Sequence, residues 1–226
     1  MNKTSSISRI LNATKLDIYT SRSSMRTIVI MYVIPIVIGV AVKIPEFTLG
    51  LTMVLSVFAG GYVFSVQERN HSDKLYGILP LKKSEMIWGR YLYALLIGVV
   101  SSILAIVFTL VISRIVKVDI PIFNFLGVFA LAFVYYFFDM GIAYPIYLKF
   151  TFSKAYIFTM LPMYLIFLAA MLIMKKSKNF AQNLSDFFSF FQDHLPLIPI
   201  FGIVLGLIFF VVSALIANLI YTRKEI

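Results

Sequence analysis

Few side chains in this sequence are placed to do chemistry. Asp139 is the one carboxylate set well inside a long apolar run, with Tyr135, Tyr136 and Tyr144 nearby. An ionised Asp near the middle of a bilayer costs about 3 kcal/mol on insertion scales, so it must face protein or water and not lipid. It reads either as a proton-relay or substrate-contact carboxylate, or as a packing residue bonded to a neighbouring tyrosine or facing a watery vestibule. A proton-coupled carrier usually needs a second buried ionisable group at matching depth, and none is found, which favours packing. His71 and His194 fall on opposite sides of the expected membrane, each without carboxylates at ligand spacing, so no metal site is expected. The absence of cysteine excludes disulfides, thiolate metal sites and cysteine nucleophiles. No Ser/His/Asp set converges on one side, so no catalytic residue is assigned. No G-x-x-x-x-G-K-S/T phosphate loop occurs, so the chain has no ATP site of that kind and no cofactor of its own.

Charge is concentrated elsewhere. The stretch from Gln67 to Tyr93 holds Glu68, Arg69, Asp73, Lys74, Lys82, Lys83, Glu85 and Arg90, and it separates two apolar runs. Within it, Asp73 to Leu79 suits a short helix, with Ser72 as N-cap and Pro80 as the stop. Ser84 is then a plausible N-cap for the next helix, whose dipole favours Glu85 near its start. Such a mixed-charge loop gives a membrane body a handle for a soluble partner.

The elements that must position these groups are membrane helices. The chain has 226 residues, 61% of them hydrophobic and only 13% charged, where soluble domains carry roughly a quarter charged residues. The expected fold is all-α and integral to the membrane, with spans at 27–42, 47–66, 85–113, 122–147, 155–174 and 199–220. Pro162 bends the fifth span, and Gly60 and Gly61 allow a bend or close approach in the second. Gly202 and Gly206 form a GxxxG of the kind seen at dimer seams.

Ahead of the spans, 7–21 reads as an amphipathic helix. Ile7, Ile10, Leu11, Thr14 and Ile18 share one stripe, while Arg9 and Lys15 are expected near anionic lipid. Between the fifth and sixth spans, 175–195 carries Phe180, Leu184, Phe187, Phe188 and Phe191 at helical spacing, a second amphipathic piece at the outer interface. The net charge of +10 does not point to nucleic acid, because the basic residues lie in short segments between spans. Of the 20 Lys and Arg, all but Lys43, Arg114, Lys117, Lys175, Lys176 and Lys178 fall on one side. That excess places both termini and the 67–84 loop in the cytoplasm.

The run Leu79-Pro80-Leu81-Lys82-Lys83, followed by Glu85-Met86-Ile87 and Gly89-Arg90-Tyr91-Leu92, resembles the cytoplasmic loop of small ABC-2 type transporter permeases. Pro145-Ile146-Tyr147 through Lys154-Ala155 and the closing Tyr221-Thr222-Arg223-Lys224-Glu225 are similar to the same family. Thr151 and Tyr156 depart from its frequent glycine and basic residue. The resemblance implies the six-span permease of a bacterial ABC exporter in the plasma membrane, paired with a second copy or a sister permease. It further implies two cytoplasmic ATPase subunits that bind the ATP and Mg. On this reading 7–21 is an elbow helix, and Glu68, Arg69, Asp73, Lys74, Leu75 and Leu79 belong to the coupling region seated on the ATPase. Members of this size often export amphipathic, cytolytic peptides of the phenol-soluble modulin type. The competing expectation is a proton-coupled carrier, or a membrane scaffold, that uses Asp139.

Overall fold

A computed structural model of the chain describes residues 6–70, 81–176 and 197–222. His71, the proposed helix from Asp73 to Leu79, the aromatic segment 177–195, His194, Arg223 and Lys224 lie outside the described residues. The described chain is helical, with no strand: α1 (Ser6–Arg22), α2 (Met25–Val42), α3 (Pro45–Arg69), α4 (Lys83–Val116), α5 (Ile122–Lys149), α6 (Phe152–Lys176) and α7 (Ile198–Thr222).

Local chemistry sets several of the helix ends. Lys43 closes α2 in left-handed backbone, returning its N–H to the Gly39 carbonyl at 3.0 Å. Pro45 then opens α3 at the first helical position, where its missing N–H costs nothing. The N-cap of α4 is Lys82 and not Ser84. Because a lysine ammonium cannot accept a hydrogen bond, the reciprocal contact comes from Glu85, whose Oε2 accepts the Lys82 N–H at 3.1 Å. The helix runs unbroken through Pro162 in α6 and through Gly60 and Gly61 in α3.

Among the described residues, five helices, α2, α3, α4, α5 and α7, are long and apolar enough to cross a membrane. The central one is α3, whose Leu49, Met53, Val57 and Val63 are fully or almost fully buried against α4 and α5. Outward faces are apolar as well: Val29, Val33 and Val37 on α2, Ile103, Val107 and Leu110 on α4, Ile208, Val211 and Leu215 on α7. In water such belts would drive association, but lipid is an adequate solvent for them. Close approach replaces the hydrophobic effect inside the bundle. A Cβ at Gly60 would stand 2.7 Å from Met140 Sδ and 3.1 Å from the Tyr136 hydroxyl. Gly202 and Gly206, the suspected dimer seam, both receive Val134 of α5 within this chain. Together with Phe138 stacked on Phe209, they show α5 and α7 running parallel, offset by a near-constant number of residues.

With no water in the hydrocarbon, buried polar groups must find partners in the protein. Pro145 lies inside α5, so it cannot donate to the Gly141 carbonyl one turn earlier. Ser213 of α7 donates to that carbonyl instead, and the Tyr91 hydroxyl of α4 donates to Ser213 Oγ at 2.8 Å. Other tyrosines work alike: Tyr136 donates to the Ala94 carbonyl at 2.8 Å and Tyr144 to the Gly60 carbonyl at 2.9 Å. These bonds tie α3, α4, α5 and α7 together.

Ser213→Ala strands both the Gly141 carbonyl and the Tyr91 hydroxyl, a loss of about 1–3 kcal/mol for each unsatisfied group. Its thermal midpoint in detergent should fall by several degrees, to the order given by about 4 °C per kcal/mol. Adding Pro145→Ala restores an N–H for Gly141, so the double variant should recover part of that loss. A purely additive pair would show that the proline and serine are not linked.

Candidate functional site at the root of the polar loop

The polar loop leaves α3 after Arg69 and re-enters the bundle at Lys83. Both roots are fixed by buried polar contacts, and α1 supplies half of them. Ser6, Arg9, Ala13, Thr14, Asp17 and Ser21 line one face of α1 at helical spacing. Glu85, Gly89, Arg90 and Tyr93 line the facing side of α4. The two faces meet in register, although Ser6 to Ser21 is matched by the shorter stretch from Glu85 to Tyr93, so the helices cross at an angle.

Arg9 Nε donates to Glu85 Oε1 at 2.8 Å, and Ser6 Oγ donates to the same oxygen at 3.1 Å. Glu85 stands in the first turn of a 34-residue helix. Such a helix is about 51 Å long at 1.5 Å per residue, well beyond the roughly 30 Å of hydrocarbon. With the Lys82 N–H on Oε2, the Glu85 carboxylate thus has three donors, from Lys82, Arg9 and Ser6. Next, Thr14 Oγ1 donates to the Gly89 carbonyl at 3.0 Å. Gly89 is required by contact: its Cβ would lie 2.6 Å from Ala13 Cβ and 3.1 Å from the Ile10 carbonyl oxygen. Ser21 and Tyr93 close the seam through hydroxyls 2.7 Å apart.

Arg90 is 2% exposed, and its guanidinium meets groups from two other helices. It donates to Gln67 Oε1 in the last turns of α3, faces Asp17 Oδ2 of α1 at 4.0 Å, and lies 4.6 Å above the Phe64 ring. Bringing a charge out of water is tolerable only with such partners. One side chain thus ties the exit of the loop (Gln67), its return (Arg90) and α1 (Asp17).

The other residues singled out in the sequence take separate places. Glu68 turns toward α6, accepting the Ser153 N–H at 2.9 Å and the Ser153 hydroxyl at 2.7 Å. Arg69 and Lys15 are exposed. Arg9, expected at lipid, instead faces Glu85. The apolar side of α1, with Ile7 and Ile18, points away from the protein, because the surface that α1 packs on is polar. Asp139 is 1% exposed, and neither carboxylate oxygen has a hydrogen-bond partner among the described residues. The tyrosines expected to hold it donate elsewhere: Tyr136 and Tyr144 to backbone carbonyls. Tyr135, one turn away, has an equally unpartnered hydroxyl. No group of three metal-ligating side chains occurs among the described residues.

Asp17 and Gln67 escaped the sequence reading. The available signal was a polar stripe, Thr14-Asp17-Ser21 at i, i+3 and i+7, opposite Glu85-Gly89-Tyr93 at i, i+4 and i+8. The Arg9–Glu85 contact is charge-assisted and worth about 1.5–3 kcal/mol, so its loss should let α1 detach roughly ten times more often. Glu85→Ala and Gly89→Val should each speed tryptic cleavage after Lys15 and Arg22 by that order. Unchanged cleavage would show that α1 is held by other contacts.

Residues 14–222 match the model of a family described as ABC-2 family transporter protein. No curated protein gives a significant match to the chain.

Proposed function

The chain belongs to the ABC-2 family of transporter proteins, and from that premise we propose that it is the permease of an ATP-binding cassette exporter worked through the 70–82 loop. As a multi-pass transport subunit of that family it pairs with an ABC ATPase. In this reading α6 is the fifth of six spans, the termini and the loop are cytoplasmic, and α1 is the elbow. ATP and Mg reside on the partner ATPase, and a second permease completes the conduit. The cargo is amphipathic, with a cytolytic or antimicrobial peptide as the preferred class.

The observation that supports this best is the Arg90 clamp. A loop whose two roots were loosely held would absorb a push from a docked subunit. Here Gln67, Arg90 and Asp17 join both roots and α1 into one body, so displacement of the loop passes into α3 and α4 as rigid motion. Glu68 adds a contact to the start of α6, and Asp73, Lys74, Leu75 and Leu79 are the proposed seat on the ATPase, with Arg69 at its edge.

A second reading, a proton-coupled carrier, draws on the unpartnered Asp139 carboxylate. The two readings separate by experiment. In complexes with the cognate ATPase, Asp73→Lys with Lys74→Glu should lower permease-stimulated ATP hydrolysis about tenfold, equivalent to 1.4 kcal/mol of coupling. The thermal midpoint of the permease should not change. Wild-type stimulation in that variant rejects the loop as the docking element. Asp139→Asn is nearly isosteric and uncharged, so ATP-driven transport should stay within about threefold of wild type, less than 1 kcal/mol on the barrier. Abolished transport with a folded protein favours the carrier reading.

A further inference from the structure

A cavity of about 180 Å³ opens between α2, α3, α5 and α6, at the loop end of the bundle. Its walls are Met31, Phe58, Gly61, Tyr62, Phe152 and Tyr156, with Ser65 toward its polar end. An apolar cavity of about 150 Å³ is enough to hold a benzene ring, so this one takes a short apolar segment. None of the walls is charged. The depth is set by α3: Ser65 and Tyr62 lie four and seven residues before Arg69, the last residue of that helix. At 1.5 Å per residue those steps are about 6 and 10 Å, and at 100° per residue all three share one face. Arg69 is exposed, so it stands at the polar mouth directly above the slot. Arg26 and Lys154, both exposed, sit in the first turns of two other walls, α2 and α6.

We propose that this slot is a binding site for one anionic phospholipid, with an acyl segment between α3 and α6 and its headgroup phosphate at Arg69. The combination selects the occupant. An aromatic slot at hydrocarbon depth accepts a chain, and a guanidinium at headgroup depth on the same helix face accepts a phosphate, bidentately where geometry allows. A cationic amphipathic cargo would meet like charge at the mouth. The leaflet is the cytoplasmic one, a detail that rests on the orientation proposed above; the site itself does not. The lipid wedges α2 and α6 against α3, beside the Glu68–Ser153 contact, so lipid composition would tune how α6 moves.

The test is native mass spectrometry of the detergent-solubilised full chain titrated with phosphatidylglycerol or phosphatidylcholine. Wild type should retain one phosphatidylglycerol at least ten times more tightly than phosphatidylcholine. Arg69→Gln should bring the two lipids to within about threefold of each other. A Cβ at Gly61 meets Tyr147 only at 3.6 Å, an ordinary contact, so Gly61→Leu can fill the slot and should remove the retained lipid. Ser65→Phe serves the same purpose if Gly61→Leu does not fold. Retention of phosphatidylglycerol by folded slot-filled variants, or no headgroup preference in wild type, overturns the proposal. So does displacement of the retained lipid by a cationic amphipathic peptide at equimolar concentration, which would make the slot a cargo station. No readout involves the ATPase, so the outcome is independent of the loop assignment.

Discussion

Arg90 is a cation that the fold draws out of water at the edge of a membrane bundle. An uncompensated guanidinium there would be strongly destabilising, and the chain meets that constraint with groups from two other helices. Gln67 comes from the end of α3, Asp17 from α1, and the Phe64 ring supplies a negative face. The arrangement has consequences on every side. α3 and α4 must end and begin at the same level, α1 must lie across them, and the intervening loop must leave from a fixed base.

The same shortage of solvent explains the interior of the bundle. Tyrosines supply hydroxyl donors on aromatic bodies that lipid and protein both accept, and here they reach helix carbonyls that need them. Gly141, deprived of its usual donor by Pro145, is served by Ser213 and Tyr91. Apolar area does little to choose a packing partner when lipid is as apolar as leucine. Glycine contacts and hydroxyl–carbonyl bonds do choose, and they bring α5 beside α7 and lock α4 against both. Asp139 stands apart from this economy: it is buried as deeply as the tyrosines but bonded to none of them.

On the function proposed above, force transmission lies at the centre of the molecule. A clamp that joins both roots of one loop suits a part that is pushed, whereas a ring of buried ionisable groups would suit a part that titrates. The slot beside α6 is different in kind, since it engages the membrane and not a protein. Its aromatic walls and the Arg69 mouth belong to the same helix that carries Gln67 and Glu68, so lipid and loop act on neighbouring turns of α3.

What the amino-acid order determines alone is the helical, membrane-embedded character of the chain. Apolar runs of bilayer length allow no other way to satisfy the backbone, and the charged stretch after Val66 stands out because charge is scarce. The family motifs around Lys82, Glu85 and Arg90 were equally legible. Partner choice was not. Thr14 was read as part of the apolar stripe of an amphipathic helix and Asp17 and Ser21 were given no role, because nothing local says that Gly89, Arg90 and Tyr93 will meet them. Arg9 was assigned to lipid because a basic residue on such a helix has two possible anions, and only the packed structure brings Glu85 within 2.8 Å. Gly202 and Gly206 permit close approach without naming the neighbour, which turns out to be Val134 of the same chain. Periodicity fixes which residues share a face; which face meets which is decided by shape and polar complementarity between segments far apart in sequence.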